Sequence, residues 1–294
     1  MNIRLNPILK KDLRVTSRTM KFSWGIFIFE AFLGIIFLFA MAIIYDDNLG
    51  YTGIYKEMVA LFPIIGGTEL GIVALIMPIM TATAITQERE KQTFDILLTT
   101  VMTPMAIIRG KVLSAVARVM MFIIASIPLM AISFTVGGIG WSALFIYLIS
   151  TAVFAFYVGS LGILCSTLSH KSIASIIIAY AFYGVIFGGT YMPMLIVALF
   201  MNSVTFVFSA LLLMLNPITN FTVFFSAVLA GDDLNDLLAG ASNQLGLPFT
   251  NAWVWFAVAN LVMLGMGVFF QKLAARRIEP VKRKIRGNKG LKIN

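Results

Sequence analysis

Charged side chains are scarce in this sequence, so their positions say where chemistry can happen. The densest knot is Glu88-Arg89-Glu90-Lys91, inside the polar interruption formed by residues 78–111. Three more charges, Glu30, Glu69 and Arg118, fall within apolar runs, where an ionisable group is costly and points to function by default. Glu30 lies ~13 Å above the start of its run at 1.5 Å per residue, with Arg118 at a comparable depth in another. The two are expected to pair or to share water. Glu69, beside Gly66, Gly67 and Gly71, could line a path, carry a proton or simply accept hydrogen bonds from hydroxyls, with Tyr180, Tyr183 and Tyr191 as candidate partners. Hydrolytic and metal chemistry find no support. Gly110-Lys111 is followed by Val112 and lacks the upstream glycine of a P-loop, and no H-E-x-x-H or G-x-S-x-G is present. One histidine, His170, does not build the usual metal site, and the lone Cys165 sits in an apolar run. Neither a catalytic residue nor a metal ligand is expected.

The elements that must position these charges are membrane helices. The 294 residues are 60% hydrophobic and 12% charged, with a mean hydropathy of +0.94. Apolar stretches recur that are long enough to cross a ~30 Å hydrocarbon core, and the alternating pattern of a β-barrel is absent. The predicted fold is an all-α polytopic membrane protein, a single domain over 1–294. Its six transmembrane helices are placed at about 22–45, 58–86, 112–136, 141–168, 173–199 and 252–273. Pro63, Gly66-Gly67 and Pro78 mark kink points in the second. Ser169-His170-Lys171-Ser172 is a tight turn that makes spans four and five antiparallel neighbours.

Residues 1–21 read as an amphipathic interfacial helix opened by Asn6-Pro7, with basic residues toward water. The run 204–230 is broken by Asn216 and Pro217. If it crossed fully, the basic tail 274–294 would face outside, against the positive-inside bias. We therefore expect a re-entrant pair of half-helices, which is tolerated where protein covers it. Both termini are then cytoplasmic, and Lys56 is the only one of the 22 Lys and Arg left outside. The net charge of +9 follows from that topology and not from a nucleic-acid partner.

The interruption 78–111 has its own pattern. Thr93 can cap a short helix, Asp95 places negative charge in its first turn, and Phe94, Leu97, Leu98 and Val101 share one face over 93–100. Thr103-Pro104 then starts the helix that enters span three. An apolar-faced helix held outside the membrane has to dock on something.

The run Glu88-Arg89-Glu90-Lys91-Gln92-Thr93-Phe94-Asp95-Ile96-Leu97-Leu98-Thr99-Thr100, with Thr103-Pro104 and Gly110-Lys111, resembles the loop of ABC-2-type permeases. These are the membrane subunits of ATP-binding-cassette exporters. Gln92 stands where that family usually has glycine. The resemblance implies that 88–100 carries a cytoplasmic coupling helix between spans two and three. Phe94, Leu97 and Leu98 would fill a notch on a separate ATPase, with Glu88, Arg89, Glu90, Thr93 and Asp95 setting its orientation. It also implies export across a prokaryotic cell membrane, two ATPase copies holding the ATP and Mg, and a second permease chain, identical or related. This chain would bind no cofactor of its own. The alternative is a stand-alone secondary transporter or channel that uses Glu30 and Glu69.

Overall fold

The computed structural model describes residues 19–47, 58–93, 103–137, 140–193, 212–230 and 251–278. The surface helix expected before residue 19, the 94–100 part of the loop helix, the first half of the 204–230 run and the tail beyond 278 lie outside the described residues. Among those residues the chain forms nine helices and no strand. In order they are α1 (Met20–Asp47), α2 (Leu61–Ala82), α3 (Thr86–Glu90), α4 (Pro104–Ala125), α5 (Ile127–Gly137), α6 (Trp141–Leu168), α7 (Ser172–Gly189), α8 (Pro217–Ala230) and α9 (Ala252–Ile278). Five stretches are individually long and apolar enough to cross a bilayer; six crossings result when the bent pair α4–α5 counts as one.

The distribution of side chains is that of a protein solvated by lipid. α1 buries Phe29, Leu33, Phe37 and Ala40, one helical face, and exposes Phe27, Ile28, Ile35, Leu38 and Phe39 on the others. Polar side chains go the other way: Glu69, Thr81, Ser114, Ser126, Ser160 and Ser166 are fully or almost fully enclosed. No water competes for them in hydrocarbon, so each has to find its partner within the protein.

α6 is the centre of the bundle, with 72% of its apolar window inside the protein, and α2, α4, α7 and α9 pack around it. Small residues make that possible, because helices in lipid associate through close backbone approach. Gly162 meets α2 at Thr81, and Gly267 of α9 meets Phe156 of α6. Across the bundle, Gln271 donates to Ser160 Oγ at 2.9 Å.

The third crossing differs from the unbroken span expected at 112–136. Its helix starts at Pro104, as the Thr103-Pro104 pair signals, with Thr103 Oγ1 accepting from the Ala106 N–H at 3.3 Å. It is broken by 46° between Ala125 and Ile127. Pro128 explains the break, since its ring opposes the carbonyl of residue 124 and it has no N–H to return.

α8 has 14 residues, roughly 21 Å at 1.5 Å per residue and too short to cross. It begins at the Asn216-Pro217 break. Asn216 Oδ1 accepts from the Ile218 N–H at 2.9 Å, while its amide donates to Phe187 O and Thr190 Oγ1 of the α7 end, each at 2.8 Å. The side chain that opens the helix also ties it to span five.

Candidate functional site

Where α2 ends, one turn of irregular backbone leads into α3, and the charged knot follows. The end is built by Ser166 of α6, whose hydroxyl accepts from two successive free N–H groups, Ile85 at 3.0 Å and Thr86 at 3.1 Å. These are the donors that a helix start leaves unsatisfied. Ile85 of this joint packs on Ile108, Val112, Ile163, Ala274 and Ile278, apolar side chains from the three helices α4, α6 and α9.

Three of the four charges in the knot, Glu88, Arg89 and Glu90, each reach a different helix. Glu88 Oε1 takes the Lys111 ammonium of α4 at 2.6 Å, and the same ammonium donates to Ala84 O at 2.6 Å. Arg89 donates to Ser169 O at 2.9 Å and, more weakly, to Thr167 O at 3.5 Å, both at the end of α6. A cation there suits the negative end of the helix dipole. Glu90 accepts from the Ser172 N–H at 2.7 Å and the Ser172 hydroxyl at 2.9 Å, at the start of α7. Those two donors hold the Glu90 carboxyl below the usual carboxylate range. The contact is therefore complete above that range and is lost as the pH falls through the lowered value. Ser172 Oγ lies 3.0 Å from Thr86 Oγ1 and completes the ring.

Glu88, Arg89 and Glu90 are thus each engaged with another helix of this chain. Three successive residues on a tight helical turn point in three directions, and a different helix end lies in each. Lys111, Ser166 and Ser172 are not among the site residues expected from the sequence. Their signals were slight: the Gly110-Lys111 pair, a serine near the end of an apolar run, and a serine at a helix start.

The joint ends in a helix-terminating turn. Gln92 has φ 57°, its N–H donates to Arg89 O at 3.0 Å, and the Thr93 N–H donates to Glu88 O at 2.9 Å. This is the Schellman arrangement, whose left-handed position favours glycine. A non-glycine residue pays roughly 1 kcal/mol there. Gln92→Gly should therefore stabilise the detergent-solubilised protein by about that amount, read as a rise in melting temperature. Gln92→Val should lower it. Thr93 is placed at the end of this turn, its hydroxyl 3.3 Å from Glu88 O. Phe94, Asp95, Leu97 and Leu98 lie outside the described residues.

A second polar group sits deeper. Glu69 is fully enclosed, with the Ser126 hydroxyl 2.6 Å from Oε1 and the Tyr147 hydroxyl 2.8 Å from Oε2. Ser126 lies at the break of the third crossing and Tyr147 on α6, so one carboxyl joins three helices. The tyrosines proposed from the sequence bond elsewhere: Tyr180 to Leu75 O, Tyr183 to Val158 O, and Tyr191 to Thr219.

The expected Glu30–Arg118 pair is not formed. Glu30 Oε1 is buried without a hydrogen-bond partner among the described residues, and its carboxyl lies within electrostatic reach of Glu69. Arg118 turns back along its own helix, Nε donating to Ser114 O at 3.2 Å. His170 is exposed in the turn between α6 and α7, and Cys165 is a buried free thiol.

Comparison with known proteins adds one finding. A family model described as ABC-2 family transporter protein matches residues 7–273. The search of curated proteins found no match.

Proposed function

The chain belongs to the ABC-2 transporter family and is the transmembrane permease of an ABC-type transporter; from that premise we propose that it exports its substrate, driven by a separate ATPase that docks on residues 88–100. Membership also implies an ABC ATPase partner and a bilayer setting.

The observation that carries the proposal is the joint. Just before the chain enters 94–100, three consecutive charges tie it to the ends of α4, α6 and α7. A segment pushed from outside the membrane at that point moves several spans together, because bonded helix ends transmit displacement as a rigid body. In this reading Phe94, Leu97 and Leu98 supply the apolar contact to the ATPase, and Asp95 its charge complement. Glu88, Arg89 and Glu90 hold the lever to the bundle.

The arrangement proposed is two permease chains around a central path, with two ATPase copies below that carry the ATP and Mg. The charged end faces the cytoplasm together with both termini of this chain. The stand-alone transporter reading is weaker: Glu69 is held by two hydroxyls at the meeting of three helices, which is the geometry of a packing anchor.

The test is to replace Phe94 and Leu97 together by Asp. The permease should insert and fold as before, and capture of the ATPase should fall at least tenfold, since a hydrophobic anchor of an interface is worth ~2 kcal/mol or more. An ATPase that co-purifies undiminished with the double variant would overturn the assignment.

A further inference from the structure

At the charged end, between α2–α3 and α4, lies a cleft of about 470 Å³. Thr83, Gln87 and Lys91 line it on one side, Lys111, Ser114 and Arg118 on the other, and Ile79 and Met80 form its apolar end. Three cations border it against one carboxylate, Glu88, so the cleft is net positive. We propose that this cleft holds the phosphate of a phospholipid headgroup whose acyl chains lie along α2 and α4.

The two basic residues of α4 stand at different depths on the same face. Lys111 stands near the start of α4 and Arg118 two turns on, ~10 Å deeper at 1.5 Å per residue. Long basic side chains in that position bend back toward the membrane boundary. Arg118 does so, its Nε bonded to the carbonyl of Ser114 at 3.2 Å. Its guanidinium is brought toward the level at which a headgroup phosphate sits. Arginine suits phosphate through its planar set of donors.

The rest of the cleft selects a lipid over a free anion. Its apolar end lies on α2, where Ile79 and, one turn further along the same face, Ile76 are exposed. Inorganic phosphate has nothing to place there. Glu88 Oε2 is buried on the same side, with no hydrogen-bond partner among the described residues. An acceptor there suits a headgroup that also carries a hydroxyl or an N–H. Basic pockets between helices at a membrane boundary are known to take anionic headgroups.

The experiment uses the full chain, purified in detergent and stripped of lipid, with no ATPase or transport readout, so its outcome is independent of the proposed function. Phosphatidylglycerol, phosphatidylcholine and inorganic phosphate are titrated separately and followed by native mass spectrometry and by the shift in melting temperature. Phosphatidylglycerol should bind saturably and raise the melting temperature. Phosphatidylcholine, with no donor on its headgroup, should bind at least tenfold more weakly, and phosphate alone should give no shift. Arg118→Gln and, separately, the exposed Lys91→Gln should each weaken phosphatidylglycerol about tenfold, the loss of one charge-assisted contact. The lipid-free melting temperature of each variant reports whether it folds. Equal binding of phosphatidylcholine, an equal shift from phosphate alone, or unchanged affinity in both folded variants would each overturn the proposal.

Discussion

Gly162→Ala should markedly reduce the yield of folded protein and Gly162→Leu should abolish it, while Gly159→Ala, one turn away on the same helix, should be tolerated. A Cβ at Gly162 would stand 2.1 Å from Thr81 Oγ1, 3.1 Å from Thr81 Cβ and 3.4 Å from the backbone N of Ala82. Thr81 has no room to retreat. It is β-branched and fully buried, and its hydroxyl already bonds Met77 O at 2.9 Å. At Gly159 the nearest obstruction, at 2.5 Å, is the terminal methyl of Met77, the flexible end of an adaptable side chain.

Overpacking of this kind costs about 1–3 kcal/mol for one carbon and more for a branched side chain. The damage spreads, because Ser166 lies one turn beyond Gly162 and caps Ile85 and Thr86 from the same face of α6. Size-exclusion profiles and melting temperatures of the solubilised variants report the effect. Thr81→Ala introduced together with Gly162→Ala should recover part of the loss, since it removes the nearest atom; two separate losses that simply add would show that this contact is not the cause.

How much of this architecture can be read in advance depends on where each signal resides. Membrane helices announce themselves because lipid demands apolar side chains on their outer faces, so spans such as Trp141–Leu168 appear directly as long apolar runs. Helix starts are legible for the same kind of local reason: Thr103-Pro104 and Asn216-Pro217 carry both the cap and the fixed φ. Pro128 is an equally local signal, and its break divides the expected unbroken span into α4 and α5.

What local pattern does not contain is which side chains meet. Depth alone suggests that Glu30 and Arg118 pair or share water, but depth leaves the direction around each helix open. Arg118 turned along its own helix toward Ser114. Glu69 found Ser126 and Tyr147, 57 and 78 residues away, because a broken crossing and a central helix bring those hydroxyls to it. The charged knot carries the same lesson. Glu88, Arg89 and Glu90 look like a solvated binding surface in one dimension, and become internal ties once α4, α6 and α7 all end beside them.

In the proposed mechanism those ties have a functional consequence. With Arg89 and Glu90 both changed to Ala, the permease should still insert and still capture its ATPase, and nucleotide hydrolysis should persist while transport falls at least tenfold. The contacts removed are capping interactions: Arg89 on the last carbonyls of α6 and Glu90 on the first N–H of α7. Losing such caps costs roughly 0.5–2 kcal/mol each. The bundle keeps its other ties, the Lys111–Glu88 pair at 2.6 Å and the Ser166 hydroxyl beneath Ile85 and Thr86, so folding survives. The stiffness between lever and spans four and five does not survive. In the proposed mechanism the ATPase spends its stroke at that place, and a slack joint absorbs the displacement before α6 and α7 move. The ratio of substrate moved to ATP hydrolysed in reconstituted vesicles therefore distinguishes two roles. A collapse of that ratio with hydrolysis intact marks the knot as a transmission element. A parallel fall of transport, hydrolysis and ATPase capture would mean that Arg89 and Glu90 only shape the docking surface, and transport left unchanged would remove the joint from the mechanism.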